Sequence, residues 1–132
     1  MVTYGSMCRM VMETALQLNE FGISCEVIDV QTLLPFDRPK TIVESLKKTG
    51  KIAFIDEDVP GGASAFMMQN VLERDKGFQF LDSQPITITG QEHRPAYGTD
   101  GDYFSKPSTE DIFERVYAIM HEYNPQDYPA IL

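Results

Sequence analysis

Lys51 to Ala65 reads KIAFIDEDVPGGASA. Ile52, Ala53, Phe54 and Ile55 make a short apolar run, the length and content of a buried strand. Three acids follow, Asp56, Glu57 and Asp58, and then Pro60 stops any strand. Gly61 and Gly62 permit backbone angles that a Cβ forbids. A helical pattern opens directly after them. Strand, acidic end, Gly-Gly turn and helix form the joint of an α/β layer structure, in which ligands gather at the carboxyl ends of the strands.

The same alternation runs through the chain. Val2–Tyr4 is strand-like and ends at Gly5-Ser6, with Ser6 the expected N-cap of the next helix. Met7, Met10, Val11, Thr14, Leu18 and Phe21 repeat close to every 3.6 residues, and Gly22 supplies the stop. Ile23–Val30 (ISCEVIDV) is predicted as a second strand. Thr32–Phe36 is an apolar loop, unusual because loops run over the surface and are polar. Asp37 is placed to cap a helix that buries Ile42, Val43 and Leu46, carries Lys47 and Lys48 at its dipole-negative end, and closes at Gly50. The helix after Gly62 is predicted over Ala63–Asp75, with Phe66, Met67, Val71 and Leu72 inward. Pro85–Thr89 (PITIT) is a further strand. Ser108-Thr109-Glu110-Asp111 is a capping-box pattern opening a last helix striped by Ile112, Val116, Ile119 and Tyr123. These alternating elements give an α/β sandwich with a mostly parallel sheet.

Composition narrows the function. The chain has 132 residues, one domain by size, with 11 basic and 20 acidic residues and a net charge of −9. Nucleic acid and an anionic membrane are not expected partners, because phosphate binding needs surplus Lys and Arg. A basic protein partner suits the charge. Cys8 and Cys25 form neither a CxxC pair nor a disulfide framework. No run approaches the ~20 apolar residues of a spanning helix. A cytoplasmic location is expected. The chain opens inside a strand, so a fragment of a longer polypeptide, residues 1–132 forming a single domain of it, is the expectation.

No complete catalytic set is visible. The Gly61-Gly62 turn lacks the GxGxxG and GxxxxGK[ST] spacings, and the acids before it would repel a phosphate; a tight turn letting backbones meet closely is the expected use. Asp56, Glu57 and Asp58 alternate faces on a strand and do not converge on a metal. Asp100-Gly101-Asp102 lacks the bidentate acid of a calcium loop. His93 and His121 stand alone. The sequence therefore offers no catalytic, cofactor-binding or metal-ligating residues.

Four segments together resemble a known family: VTYGSM (2–7), GISCEVIDVQTLLPFD (22–37), TIVESLKKTG (41–50) and IDEDVPGGASA (55–65). They are similar to the C-terminal domain of transketolase-like thiamine diphosphate enzymes, closest to the beta chain, or fused beta half, of 2-oxo acid dehydrogenase decarboxylating components. PSTEDIFERVY (107–117) resembles that group's final helix. The resemblance implies a three-layer α/β/α sandwich with a mixed, mainly parallel five-stranded sheet. It implies an enzyme that decarboxylates a 2-oxo acid on thiamine diphosphate and magnesium, both held elsewhere, and passes the acyl group to a lipoyl arm. The domain itself would support dimerisation and dock the basic subunit-binding domain of an acyltransferase core. Interface residues are expected at Leu33, Leu34, Phe36, Glu57, Asp58, Pro60, Gly61 and Gly62. Residues 91–106 depart from the family pattern, being longer and more polar. The rivals are the C-terminal domain of transketolase or deoxyxylulose phosphate synthase, and a free-standing flavodoxin-like binding module.

Overall fold

The computed structural model describes residues 1–92 and 105–131. Strands and helices alternate: β1 (Val2–Thr3), α1 (Met7–Asn19), β2 (Ile28–Asp29), α2 (Thr41–Thr49), β3 (Ala53–Ile55), α3 (Ala63–Gln69), β4 (Ile86–Ile88) and α4 (Thr109–Tyr123). The sheet order is β2-β1-β3-β4. Every pair is parallel, with Val2 opposite both Ile28 and Phe54, and Phe54 opposite Thr87.

The period-2 alternation of β3 divides the core between two layers. Ala53 and Ile55 pack with Met7, Val11, Leu18, Ile112 and Val116 of α1 and α4. Ile52 and Phe54 pack on the opposite face with Ile42, Leu46, Met67 and Val71 from the α2 and α3 layer. Helices thus cover both faces of a parallel sheet, as such sheets require. Among the described residues the sheet has four strands and no antiparallel pair, where five strands in a mixed sheet were expected.

Local chemistry explains most boundaries. Gly22 takes φ +80°, with its N–H on Asn19 O and the Ile23 N–H on Leu18 O. That is a Schellman stop, and Ile23 and Leu18 share one core cluster. Asp37 caps α2 twice over, accepting from the N–H of Thr41 at 3.0 Å and Ile42 at 2.9 Å. The capping box of α4 is complete: Ser108 Oγ accepts from Asp111 N at 3.1 Å, and Asp111 Oδ2 accepts from Ser108 N at 2.9 Å.

Four expectations are corrected. Ser6 makes no cap hydrogen bond; its hydroxyl donates to Glu57 Oε2 at 3.0 Å. The strand over Ile23–Val30 shrinks to Ile28–Asp29, because its sheet neighbour β1 offers only two paired residues. The helix over Ala63–Asp75 is α-helical only to Gln69; Asn70–Arg74 widens into a π turn, where Asn70 Nδ2 donates to Phe66 O at 2.8 Å. Its buried stripe is Ser64, Met67 and Val71, which leaves Phe66 partly exposed at its flank and Leu72 half-buried. Tyr123 is exposed on α4, and Tyr117, stacked on Phe113, is buried instead.

Candidate functional site

The strand order reverses between β1 and β3, and in open α/β sheets that crevice, at the carboxyl ends, is where ligands and partners bind. The β1 end supplies Tyr4, Gly5 and Ser6, and the β3 end supplies Asp56, Glu57 and Asp58. The three acids do not converge. Asp56 follows Phe54 on the α2/α3 face and is 1 % exposed. Its Oδ1 accepts from the Tyr4 hydroxyl at 2.9 Å and from the Asp58 N–H at 3.3 Å. Its Oδ2 is buried without a protein partner. Glu57 points outward, accepting from Ser6 and pairing with Lys106 Nζ at 3.4 Å. Asp58 turns onto its own loop, accepting from Val59 N at 2.8 Å.

This edge is negative. Burial pushes the Tyr4 phenol up to about 12, helped by the hydrogen bond to Asp56 and the charges of Asp56, Asp58 and Glu57. A diphosphate does not fit such a surface, since its own charge would meet three carboxylates. Among the described residues no group of three His, Cys, Asp or Glu is placed to hold a metal ion. Cys8 and Cys25 are free and half-buried, and burial raises both thiols above their ordinary value. His121 Nδ1 faces Tyr128 O at 2.7 Å, outside the Tyr4–Asp58 group. His93 and Asp100-Gly101-Asp102 lie outside the described residues, as does most of 91–106.

The expected interface residues separate into two kinds. Leu34 is 83 % exposed, while Phe36 is 4 % exposed and belongs to the domain's own core. Leu33 is half-buried against that core. Glu57, Asp58, Pro60 and Gly61 are exposed, and Gly62 is half-buried. The loop bearing Leu34 is held in an uncommon shape, with Gln31, Asp37 and Lys40 all at positive φ. Phe36 anchors it from below, edge-on to Phe66 at 5.9 Å, and Arg74 Nη2 donates to Phe36 O at 3.2 Å. Leu34 therefore stands on a braced platform.

Gly61 has φ +88° and open space around its Cβ position. Among the described glycines the closest backbone approach lies at Gly90, where a Cβ would come within 2.5 Å of Glu57 O. Sequence reading missed Gly90, Tyr4 and Ser64. The available signal for Tyr4 and Asp56 was that each directly follows a buried strand; what it lacked was the adjacency of β1 and β3.

The description of the transketolase C-terminal domain family matches residues 1–110. The chain belongs to that family. Its curated relatives include the pyruvate dehydrogenase E1 component subunit beta of Rhizobium meliloti (strain 1021), 27% identical over 92% of this chain and 26% of the relative. The pyruvate dehydrogenase E1 component subunit beta-1, mitochondrial, of Arabidopsis thaliana is 32% identical over 84% of this chain and 30% of the relative. The acetoin:2,6-dichlorophenolindophenol oxidoreductase subunit beta of Bacillus subtilis (strain 168) is 38% identical over 69% of this chain and 26% of the relative. The chain thus spans between a quarter and about a third of the first of these relatives and its kin. The four segments quoted from the sequence fall inside the family match. No helix among the described residues is long and apolar enough to cross a membrane.

Proposed function

We propose that this chain is the non-catalytic C-terminal domain of a thiamine diphosphate-dependent 2-oxo acid dehydrogenase decarboxylating component, acting as an assembly domain. Residues 1–132 form one domain of a longer cytoplasmic enzyme. That enzyme decarboxylates a 2-oxo acid oxidatively and transfers the acyl group to a lipoyl arm. Thiamine diphosphate and magnesium are held by its other domains. The likeness to dehydrogenase beta subunits over most of the chain carries the reading.

The strand-end surface suits assembly. Leu34 offers an apolar knob already fixed in place, so little ordering entropy is lost when it is covered. Glu57, Asp58, Pro60, Gly61 and Gly62, on the loop after β3, add a largely exposed stretch with two acids at the same end of the parallel sheet. A homodimer and a basic subunit-binding domain of an acyltransferase core are the proposed partners, the latter steered by the net charge of −9.

Gel filtration with light scattering of the complete enzyme tests the proposal. Leu34→Asp is expected to weaken the assembly without lowering the unfolding temperature. An assembly indifferent to Leu34→Asp removes this surface from the contact. Turnover of a 2-oxo acid by the 132 residues alone removes the non-catalytic reading.

A further inference from the structure

The π turn at Asn70–Arg74 ends in the bond from Asp75 N to Asn70 O, 2.9 Å, one residue longer than an α turn. Such turns are rare and interrupt α-helices singly. Here the extra residue changes which side chains share a flank. Phe66 and Arg74 are eight residues apart. Along an unbroken α-helix, at about 3.6 residues per turn, Arg74 would stand about 80° round from Phe66. The π turn admits about one extra residue, which brings Arg74 to within about 20° of the line of Phe66. Both side chains then meet one ring. Phe66 lies edge-on to Phe36 at 5.9 Å, and the Arg74 guanidinium lies 5.7 Å from the Phe36 ring centre.

Arg74 is itself held. The Asp75 side chain is 1 % exposed, and its two oxygens accept from Arg74 Nε and Nη2, each at 2.9 Å. A two-pronged pair of this kind fixes the plane of the guanidinium. The same Nη2 donates to Phe36 O at 3.2 Å. The charge of Asp37, the next residue of the loop, acts on the same guanidinium. Arg74 therefore ties both the ring and the backbone of Phe36 to the helix.

The loop needs such a tie. Gln31, Asp37 and Lys40 all hold positive φ, which residues other than glycine keep only where their surroundings impose it. Leu34 is exposed and contributes little burial to that shape.

We propose that Arg74 is a positioning residue for the assembly surface: fixed by Asp75 at the end of the π turn, it holds Phe36 and so presents Leu34 in the shape that a second subunit meets. The inference rests on the reading of Leu34 as an assembly contact. A loop without the tie has to be ordered as the subunits meet, which weakens association with no loss of contact area.

Sedimentation velocity of the complete enzyme over a dilution series tests it. The variant is Arg74→Met combined with Asp75→Asn, so that no buried carboxylate is left without its partner. It should weaken assembly about tenfold, the effect of ordering one or two further residues on association. Hydrogen exchange at residues 31–36 should quicken in the same variant. Combined with Leu34→Asp, it should weaken assembly no further than Leu34→Asp alone, because the anchor it positions is already gone. If the variant does not fold, Arg74→Lys, which keeps the charge and gives up the fork, takes its place. Should Leu34→Asp weaken assembly while a folded Arg74 variant does not, the positioning role fails and the assembly reading stands. The role fails equally if exchange at residues 31–36 is unchanged, or if the Arg74 loss persists undiminished beside Leu34→Asp. Indifference of the assembly to Leu34→Asp itself overturns the assembly reading, and this inference with it.

Discussion

The Tyr4 hydroxyl donates to Asp56 Oδ1 at 2.9 Å, joining the ends of two neighbouring strands that lie 52 residues apart in sequence. The bond is part of what makes Asp56 tolerable inside the fold, since a buried carboxylate needs donors. Tyr4→Phe leaves Oδ1 with only the long bond from Asp58 N. It should cost about 1–3 kcal/mol in a urea melt, the range for stranding a buried polar group.

The same pair sets a pH dependence. Tyr4 ionises at about 12 in the fold against 10 in its ordinary state. A phenol whose pKa rises on folding contributes stability that is fully present below the unfolded value. That contribution fades as pH climbs from 10 through about 12. Absorbance at 295 nm should show a late-titrating component that is missing in Tyr4→Phe. A high-pH titration curve that Tyr4→Phe leaves with the same late component would contradict the field described at this strand end.

Asp37 and Ser6 make a contrasting pair. Both precede a helix and both are cap-type residues, yet only Asp37 accepts from helical N–H groups. Asp37→Ala should destabilise the domain by about 0.5–2 kcal/mol. Ser6→Ala should stay within about 0.5 kcal/mol of wild type, like other exposed substitutions. Equal losses in the two variants, measured by urea denaturation, would show that Ser6 caps α1 in solution.

Two glycines separate crowding from backbone strain. Gly90→Ala drives a methyl to 2.5 Å from Glu57 O and 3.0 Å from Ser105 O, both backbone atoms that cannot swing aside. Overpacking of this kind costs roughly 1–3 kcal/mol. At Gly61 nothing lies within 4 Å, so Ala there meets only the left-handed φ of +88°, a penalty of roughly 1–2 kcal/mol. Because Gly90 N also donates to Asp58 O, Gly90→Ala should loosen the strand-end loop. Hydrogen exchange at Glu57 and Asp58 should quicken more in Gly90→Ala than in Gly61→Ala, whose strain is confined to its own turn.

How far the sequence carried the fold depended on which interactions were local. The alternation of strands and helices was legible because Ile42, Val43 and Leu46, or Ile112 and Val116, repeat with a helical period within single segments. Caps at Asp37 and Ser108 were legible because donor and acceptor lie within five residues of each other. What stayed hidden was set by pairing across the chain. The short β2 follows from its register against β1, and the Tyr4–Asp56 bond follows from the β1–β3 neighbourhood. The apolar loop LLPF at 33–36 shows the same limit: its sequence is uniformly apolar, yet one residue faces out and another fills the core.

That division makes Leu34 and Phe36 the sharpest test of the strand-end surface. Leu34 is 83 % exposed and Phe36 is 4 % exposed, two residues apart on one braced loop. Phe36→Ala removes a buried ring packed against Phe66 and beneath Arg74. It should cost about 3–5 kcal/mol, the range for emptying an aromatic site in a core. Leu34→Asp removes no internal contact of that kind and should leave the thermal midpoint of the isolated domain unmoved. In the complete enzyme the order reverses. Leu34→Asp should shift the light-scattering mass toward smaller species at low micromolar concentration, because a fixed apolar anchor at the centre of a contact carries a large share of its energy. Measuring domain stability and assembly on the same two variants separates a residue that holds the fold from one that the fold holds out to a partner.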